Sequence, residues 1–477
     1  MFYFKKPLLR NQKRFKINFT DFSGGLNTAL DKNILSQKYA VNTYNVKSST
    51  GALTTGMGIE KLKLKNDTND FEFLNVPQNV KKLIYFKKFD RDEMENDDRL
   101  LAITNEGDLY SANISKFTQF EKIVGVSFNK TPNFVCYRLN GDDVVIMTSE
   151  EDDMIIWDGV NAPYPVYDAP KITSMCVHYE RLFVTAGKDK SAVWFSDDLD
   201  PSNWSVSLEE AGFIEMADDK GGLLKVIKFI DYVYIFRSYG IARLTAYADQ
   251  TQFTLNQLFT TSGRIYPDTV TICGDIIIFL AEDGMYVFDG LSTQKIFKSI
   301  QGFFKGADFS KSKGAFVDGC YYLSLIKPLD ENYLIRYNVS ENNIDILKGP
   351  EIIDILPITA EDYTKLAVLI KDDNNIYTLC DSGCFLGVPL HKIWITPVTD
   401  LNYPEYFKIV KKIMINTKYD ITLTLISDIE TKSFKVCGKE NKIAEINTQL
   451  KGRLFSMKIE SDEPDIYVAK PSVLVDI

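Results

Sequence analysis

Short apolar runs alternate with tight polar turns along most of the chain, and one such pair recurs seven times. Each copy has an apolar run, a polar turn, and a second apolar run that often ends in Asp-Gly or Asn. Short runs that are rich in Val, Ile, Tyr and Phe favour strands over helices. The copies start 38 to 50 residues apart, at Arg99, Asp143, Arg181, Asp231, Asp275, Gly319 and Lys365. A repeat of about 40–50 residues is typical of the four-stranded blades of a β-propeller.

The turns and a third apolar run support this interpretation. Turns such as Glu282-Asp283-Gly284 contain residues that accept positive φ at little cost, as hairpin tips require. A further strand is predicted just ahead of each copy, starting at Lys81, Asn133, Ile172, Leu223, Asp268, Gly314 and Ile352. An array of β-sandwiches would need a period of about 100 residues. We therefore predict an all-β fold, a β-propeller of about seven blades, although the uneven spacing also fits six or eight.

The propeller pattern does not extend to either end of the chain. Residues 1–75 are predicted to form an N-terminal arm and a closing or docking segment, and residues 76–398 the propeller. Residues 399–477 contain alternating strands with polar turns, which predict a small C-terminal β-sandwich-like domain. Because no linker rich in Gly or Pro precedes this domain, we expect it to pack directly on the propeller.

The same pattern gives more local expectations. The first 16 residues are basic and either remain mobile or dock on a partner, whereas Ser36 caps a predicted helix over residues 37–45. The run GALTT at 51–55 predicts a short strand, and this N-terminal region either crosses the ring or closes it. We interpret the acidic run at 91–98 as a solvated hairpin tip. The acidic run at 150–153 is interpreted as solvent-facing charge. Residues 197–222 are interpreted as a surface loop.

Composition excludes some functions. The formal charge of −10, from 65 acidic and 55 basic residues, does not suit non-specific binding to nucleic acid. The seven cysteines lack the spacing of a metal site. Cys136, Cys176, Cys273 and Cys320 fall in predicted strands, where a thiol serves as a small apolar residue. We therefore expect the chain to fold in a reducing cytoplasm. No apolar stretch reaches 18 residues, and the basic start lacks the apolar core of a secretion signal.

No constellation of catalytic residues is evident. The two histidines, His178 and His391, lie far apart and near no convincing nucleophile. The segment 196–204 partly matches the Asp-box turn of sialidase-like propellers, S-x-D-x-G-x-T-W, which is itself structural. Asp197, Asp198 and Asp200 offer clustered carboxylates for calcium, but their spacing does not fit an EF-hand loop. With no phosphate loop or dinucleotide fingerprint, we predict no enzyme, and no catalytic, cofactor-binding or metal residue.

Five phrases occur in an order that is similar to that of one family. They are FSGGLNT (Phe22–Thr28), YAVNTYNV (Tyr39–Val46), GALTTGMGIE (Gly51–Glu60), WFSDDLDPSNW (Trp194–Trp204) and KGRLFSMKI (Lys451–Ile459). Together they resemble virion β-propeller proteins of tailed bacteriophages, especially the tail nozzle (tubular tail) proteins of short-tailed phages. Nozzle proteins are often much longer, with inserted β-domains. The station of this chain therefore stays open between the nozzle, the hub below the adaptor ring and a small collar component.

The resemblance implies a non-catalytic structural protein of the virion tail that folds in the host cytoplasm. It implies a homo-oligomeric ring, commonly a hexamer, around the DNA exit channel, in contact with other tail, adaptor and portal-proximal proteins. An acidic wall would let genomic DNA pass without specific binding.

Two alternatives remain from the residues themselves. One is a glycan- or receptor-binding tail propeller, with Trp157, Trp194, Trp204 and Trp394 as candidates for stacking on sugars. The other is a propeller glycosidase, which would need paired carboxylates facing the central channel.

Overall fold

The computed structural model describes residues 14–18, 21–65, 71–208, 211–216, 218–247, 250–261, 263–359, 363–440 and 442–477. Most of the basic N-terminal arm lies outside these residues. Its end, Arg14–Asn18, is a strand that pairs with Tyr467–Asp476 near the end of the chain.

Seven sheets, each with four antiparallel strands or more, follow one another along the chain as the blades of a propeller. Each blade begins with an inner strand and runs outward. The strands of blade 1 are Val80–Phe86, Arg99–Thr104, Asp108–Asn113 and Glu121–Ser127. Those of blade 2 are Asn133–Leu139, Asp142–Thr148, Met154–Trp157 and Tyr164–Val166. Those of blade 3 are Ile172–His178, Arg181–Ala186, Ala192–Phe195 and Gly212–Glu215. The strands of blade 4 are Leu223–Phe229, Tyr232–Arg237, Gly240–Thr245 and Thr254–Thr260. Those of blade 5 are Ile265–Cys273, Ile276–Ala281, Gly284–Phe288 and Thr293–Ile296. Those of blade 6 are Gly314–Val317, Cys320–Lys327, Glu331–Asn338 and Asn343–Gly349.

The seventh blade is completed by the N-terminal segment. The chain supplies its three inner strands as Ile352–Thr359, Thr364–Ile370 and Ile376–Cys380, and Gly58–Lys61 adds the fourth, antiparallel to Ile376–Cys380. Cys384–Phe385 then pairs with the far side of Gly58–Lys61 and forms a short hairpin with Val388–Pro389. The predicted propeller is thus confirmed, with seven blades, and it is closed by a strand from the opposite end of the chain.

A separate apolar cluster fills each space between neighbouring blades. Alternate residues of a strand point to opposite faces of its sheet, so each blade contributes to two clusters. In blade 1, Leu100 and Ala102 pack against blade 7, whereas Leu101 and Ile103 pack against blade 2. The other five clusters join blades 2–3, 3–4, 4–5, 5–6 and 6–7. Since the set includes a cluster between blades 7 and 1, the ring is closed.

The C-terminal unit is a two-sheet β-sandwich that also contains N-terminal strands. One sheet has the order Ile443–Gly452, Lys408–Thr417, Tyr467–Asp476, Leu53–Thr55 and Val46–Lys47. The other has the order Asn42–Tyr44, Lys392–Ile395, Phe455–Ser461, Ile421–Ser427 and Thr431–Val436. A single apolar cluster fills the space between the sheets. In it, the rings of Phe22 and Trp394 meet edge to face, with their centroids 5.4 Å apart. The strand Lys392–Ile395 lies ahead of the predicted boundary at 398/399, yet it pairs within this sandwich.

The remaining elements are short. Two hairpins are Lys63–Lys65 with Phe71–Phe73 and Phe89–Asp90 with Glu95–Asn96, and Gly25–Leu26 pairs in parallel with Tyr39–Ala40. In the described part of the chain, 3₁₀ turns occupy Val206–Leu208, Gln250–Gln252, Lys298–Phe304 and Phe309–Lys311.

The helix predicted over residues 37–45 is wrong. Tyr39–Ala40 and Asn42–Tyr44 are strands, and the latter pairs with Lys392–Ile395 some 350 residues away. Long-range pairing therefore overrides the local capping signal in this segment. The predicted strand at 51–55 is present over Leu53–Thr55. The stretch predicted as a surface loop at 197–222 contains the outer strand of blade 3.

Two acidic runs are only partly solvated. Their tips, including Asp92 and Glu151, are exposed as predicted. By contrast, Asp98 is buried and accepts hydrogen bonds from the Tyr85 hydroxyl and the Lys88 backbone N–H. Asp152 is also buried and accepts from the backbone N–H groups of Asn129 and Lys130. These carboxylates organise loops, which a count of charges in the sequence did not reveal.

Asn45 joins the propeller to the sandwich. Its side-chain amide donates to the carbonyls of Lys348, in the outer strand of blade 6, and His391, next to a sandwich strand, at 3.1 and 2.8 Å. Its side-chain oxygen accepts from the backbone N–H of Lys348 at 2.8 Å. Asn45 is buried and has a φ of 59°, a left-handed conformation that Asn tolerates better than most residues.

We expect Asn45→Ala to lower the free energy of unfolding by about 2–4 kcal/mol, because three hydrogen bonds are lost and Ala is strained at this φ. Chemical denaturation followed by circular dichroism measures the change. Asn42→Ala is the control, since Asn42 is exposed in the same segment. Equal stability of the two variants would contradict the role of Asn45 as a joint.

Candidate functional site

The central channel of the propeller opens at one end into a polar cavity of about 350 Å³. All seven inner strands, or the residues just ahead of them, contribute to its wall. Its charged residues come from five different blades and are Lys81, Lys82, Lys225, Lys313, Asp268 and Asp354. We refer to this cavity with its six charged residues as the channel mouth. It is the place in the described structure where charged groups from many blades converge.

Local irregularities of the inner strands aim these side chains. The pairing register shifts between Val80 and Lys82, and between Leu223 and Lys225, at the start of the inner strands of blades 1 and 4. Blades 3 and 7 have the same shift, just ahead of Ser174 and Asp354. A β-bulge redirects the side chains beside it. The repeated bulge therefore places one polar residue of each of these four blades at the mouth.

Asp354 connects blade 7 to blade 1 at the mouth. One carboxylate oxygen accepts from the Lys82 ammonium at 3.1 Å, and the other accepts from the Leu83 backbone N–H at 2.9 Å. The Asp354 side chain is almost completely buried and that of Lys82 about three-quarters buried. Although burial opposes the charged form of Lys82, attraction to Asp354 raises its pKa above the ordinary value.

Asp268 forms an ion pair with Lys313, from blade 6, but its side chain is about half exposed. Burial by itself would raise the pKa of Asp268, but the Lys313 ammonium outweighs burial and holds that pKa below its ordinary value. Lys225 and Lys82 act on Asp268 in the same direction. These mutual effects show that charges from blades 1, 4, 5 and 6 lie within electrostatic reach of one another.

Among the described residues, no carboxylate is in direct contact with Lys225. Its ammonium donates to the carbonyl oxygens of Pro267 and Val270, both at 2.9 Å. Burial lowers the pKa of Lys225 to about 8, and the nearby ammonium groups of Lys82 and Lys313 add to this effect against the attraction of Asp268. Perturbed titratable groups in a cavity are typical of functional sites.

The sequence contains a signal for the channel mouth that becomes visible only when the copies are aligned with one another. Four inner strands begin as VKKLIY, ITSMCV, LLKVIK and IIDILP, with Lys82, Ser174, Lys225 and Asp354 each at the third position. The alignment reveals that this position is polar in all four strands. In a single copy, the same residue looks like part of the usual alternation of polar and apolar residues along a strand. The glycosidase alternative also needs inward carboxylates, and Asp268 and Asp354 are both paired with lysines.

The two histidines lie in different units. His178 is buried at the end of the inner strand of blade 3, against the rings of Tyr179 and Phe183. His391 is partly exposed beside the sandwich, with its Nδ1 2.7 Å from Asp462 Oδ1. The structure does not bring the two together.

The loop 196–204 of blade 3 is held by its own hydrogen bonds. Asp197 accepts from the side-chain amide of Asn203 at 2.7 Å, and Asp200 accepts from the hydroxyl of Ser202 at 2.5 Å. Ser196 is buried, and its hydroxyl accepts from the Leu182 backbone N–H. This confirms that the Asp-box-like phrase stabilises a turn. Among the described residues, no group of three or more His, Cys, Asp or Glu side chains is arranged to hold a metal ion.

Three of the four tryptophans proposed for sugar stacking are buried: Trp157, Trp204 and Trp394. Trp194 is half-buried, packs against Phe213 and donates to Asp189. All seven cysteines are free, and the four predicted in strands lie in strands. No helix in the described part of the chain is long and apolar enough to cross a membrane.

Comparison with protein-family models and with curated proteins gave no match. Solved structures with similar folds include Hsv2p of Kluyveromyces lactis, with 11% identity and a TM-score of 0.31, covering 53% of this chain and 81% of that one. They also include BBS1N in complex with ARL6DN, soaked with lead (8% identity, TM-score 0.43, 64% and 93% covered) or with mercury (9%, 0.40, 67% and 96%). These are β-propeller proteins, and at such identities the likeness concerns the fold alone.

We expect Asp354→Ala to lower the free energy of unfolding by about 3–5 kcal/mol, since it leaves Lys82 and the Leu83 N–H buried without their partner. Glu351→Ala, which removes a more exposed pair with Lys371, should cost no more than about 1 kcal/mol. Urea denaturation of both variants measures the difference. If both variants lost a similar free energy of unfolding, the buried pair between blades 7 and 1 would contribute no more than an exposed pair.

His178 provides a pH-dependent contribution to stability. Burial and the nearby Lys228 lower its pKa below the ordinary 6.5, so the unfolded chain binds more protons than the folded one below that pH. Folding is therefore weakened as the pH falls through about 6.5 and below. We expect wild type to lose more stability than His178→Phe between pH 7.5 and 5.5, measured by urea denaturation at each pH. An equal loss in both proteins would exclude this contribution.

Proposed function

We propose that this protein is a structural component of the tail of a tailed bacteriophage, a ring-forming nozzle or hub subunit around the DNA exit channel. The observation that carries the proposal is where the resembling phrases fall in the fold. Most of them lie at the joints between the propeller and the sandwich, where a shared architecture would require the same residues.

The N-terminal phrases form the connection between the two units. Phe22–Thr28 contributes Phe22 to the sandwich core, and Tyr39–Val46 contains a sandwich strand and the joint residue Asn45. Gly51–Glu60 runs from the sandwich strand Leu53–Thr55 into the strand that closes the propeller. A single stretch thus binds both units into one body, as a ring subunit that bears mechanical force needs.

The other two phrases have structural positions as well. Trp194–Trp204 forms the self-bonded turn of blade 3. Lys451–Ile459 includes most of the strand Phe455–Ser461, which pairs with Lys392–Ile395 on one side and Ile421–Ser427 on the other. Because each phrase maintains the framework, the resemblance supports a structural protein rather than an enzyme.

Charge and size fit a subunit whose copies surround DNA. The net charge of −10 is suited to a wall that double-stranded DNA passes without binding. The channel mouth has room for a small molecule and none for a duplex. DNA would therefore pass through the centre of a ring of copies, commonly six. The neighbours in the proposed assembly are other tail, adaptor and portal-proximal proteins, and the protein would reside in the virion after folding in the host cytoplasm.

Immunogold electron microscopy of phage particles from the source culture tests this proposal. An antibody raised against the folded protein should label the vertex or the tail tube, and mass spectrometry of purified particles should detect the chain. An antibody against an unrelated non-virion protein is the control. Particles without gold, despite protein in the lysate, would refute the virion role.

Gold confined to the distal tip of the tail would instead favour a receptor-binding propeller. A glycan array would then separate sugar binding from a purely structural position. Of the four tryptophans, the half-buried Trp194 is the one to mutate first.

A further inference from the structure

The channel mouth contains more positive charge than its own carboxylates neutralise. We propose that it binds a small phosphate-type anion with at least two negative charges, such as hydrogen phosphate or pyrophosphate. This site goes beyond the proposed tail role and does not depend on it, because it lies within one subunit.

The balance of charge is the first step of the argument. Four lysines and two aspartates line the mouth, and both aspartates are already engaged with Lys82 or Lys313. Two positive charges remain in a chain that is otherwise strongly acidic. Gathering like charges in one cavity is unfavourable unless a counter-charge is present. A dianion would supply the missing counter-charge.

Free donors are the second step. An ammonium group has three N–H donors. Among the described contacts, Lys225 uses two of them on carbonyl oxygens, while Lys82 and Lys313 each use one on a carboxylate. The remaining N–H groups come from three blades around one cavity. Lysines that converge in this way bind phosphate as point charges from several directions.

The environment of Lys225 is the third step. Its side chain is half-buried, and withdrawing an ammonium from water without a carboxylate in contact costs free energy. The two carbonyl oxygens tie Lys225 to the inner strand of blade 5 and satisfy part of its hydrogen bonding, but they carry no full charge. A bound anion next to Lys225 would offset the remaining cost.

Size and rigidity select the class of ligand. A volume of about 350 Å³ lies at the lower end of the range for small-molecule sites. The walls belong to seven strands of a closed ring, so the donors are held in place before the ligand arrives. Bulged residues such as Lys82 and Lys225 are oriented by the backbone rather than by the ligand. Such preorganisation favours a compact ligand with several acceptor oxygens.

The site should respond to pH near the pKa of Lys225, which is about 8. The charged groups that face Lys225 across the mouth are Lys82, Lys313, Asp268 and Asp354, with Lys81 at the rim. Deprotonation of Lys225 removes one of the two unneutralised charges. Anion binding should therefore be strongest below pH 8 and weaken above it.

Isothermal titration calorimetry of the full chain with sodium pyrophosphate at pH 7 and constant ionic strength tests the proposal. We expect one saturable site per chain, with binding that weakens as the pH rises above about 8. Lys225→Met and Lys313→Met should each weaken binding at least about tenfold. Lys412→Met is the matched control, because Lys412 pairs with Glu445 on the exposed face of the sandwich.

Three outcomes would overturn the proposal. The first is that titration of folded wild type with pyrophosphate releases or absorbs no heat that saturates. The second is that Lys225→Met and Lys412→Met bind pyrophosphate with equal affinity. The third is that wild type binds succinate as tightly as pyrophosphate. Circular dichroism establishes that each variant is folded, and Lys313→Met decides the question if Lys225→Met does not fold. None of these results would alter labelling of phage particles, so failure of this site and failure of the tail role are distinguishable.

Discussion

The structure depends on the pairing of Gly58–Lys61 with Ile376–Cys380. These strands lie more than 300 residues apart in sequence, so their pairing closes a long loop at an entropic cost. The cost is offset because closure completes the seventh blade and brings it against the first, where apolar side chains of both are buried. Without this pairing, Ile376–Cys380 would be an unpaired edge strand, and Met57 and Ile59 would be lost from the apolar cluster between blades 6 and 7. The same segment continues into both sheets of the sandwich, so the closing strand is anchored at a second place.

Closure also explains the chemistry of the channel mouth. The inner strand of each blade has no further strand beside it, so its backbone N–H groups need other acceptors. Side chains of neighbouring blades supply them: Asp354 accepts from Leu83, and Ser174 accepts from Val226. Polar residues are therefore required at the centre of an apolar ring for structural reasons. Lys225 meets the matching requirement for acceptors, because its ammonium donates to the carbonyl oxygens of Pro267 and Val270 in the inner strand of blade 5. It differs from Asp354 and Ser174 in adding a positive charge near the ammonium groups of Lys82 and Lys313.

Much of the propeller could be predicted from the sequence because its hairpins are local. The strands of each copy are joined by short turns, so alternation and turn residues suffice to find them. Features that depend on distant partners were missed. In the stretch predicted as a helix, Asn42–Tyr44 forms a strand through pairing with Lys392–Ile395. The strand Ile443–Gly452 escaped notice because an edge strand with an exposed polar face lacks a long apolar run. The mouth was missed because alternation within one copy says nothing about which residues of seven copies converge.

Separation of charge within the molecule bears on which partners it meets. The acidic excess of the chain resides outside the channel mouth, while the mouth itself has a positive balance. Long-range repulsion acts on a large polyanion such as a DNA duplex, which is too wide to enter the cavity that the lysines line. A small anion experiences the same repulsion only briefly and then enters a cavity where the lysines act at short range and low dielectric. The proposed tail role and the proposed anion site are therefore compatible, because the acidic surface would act on a DNA duplex and the mouth on a small anion.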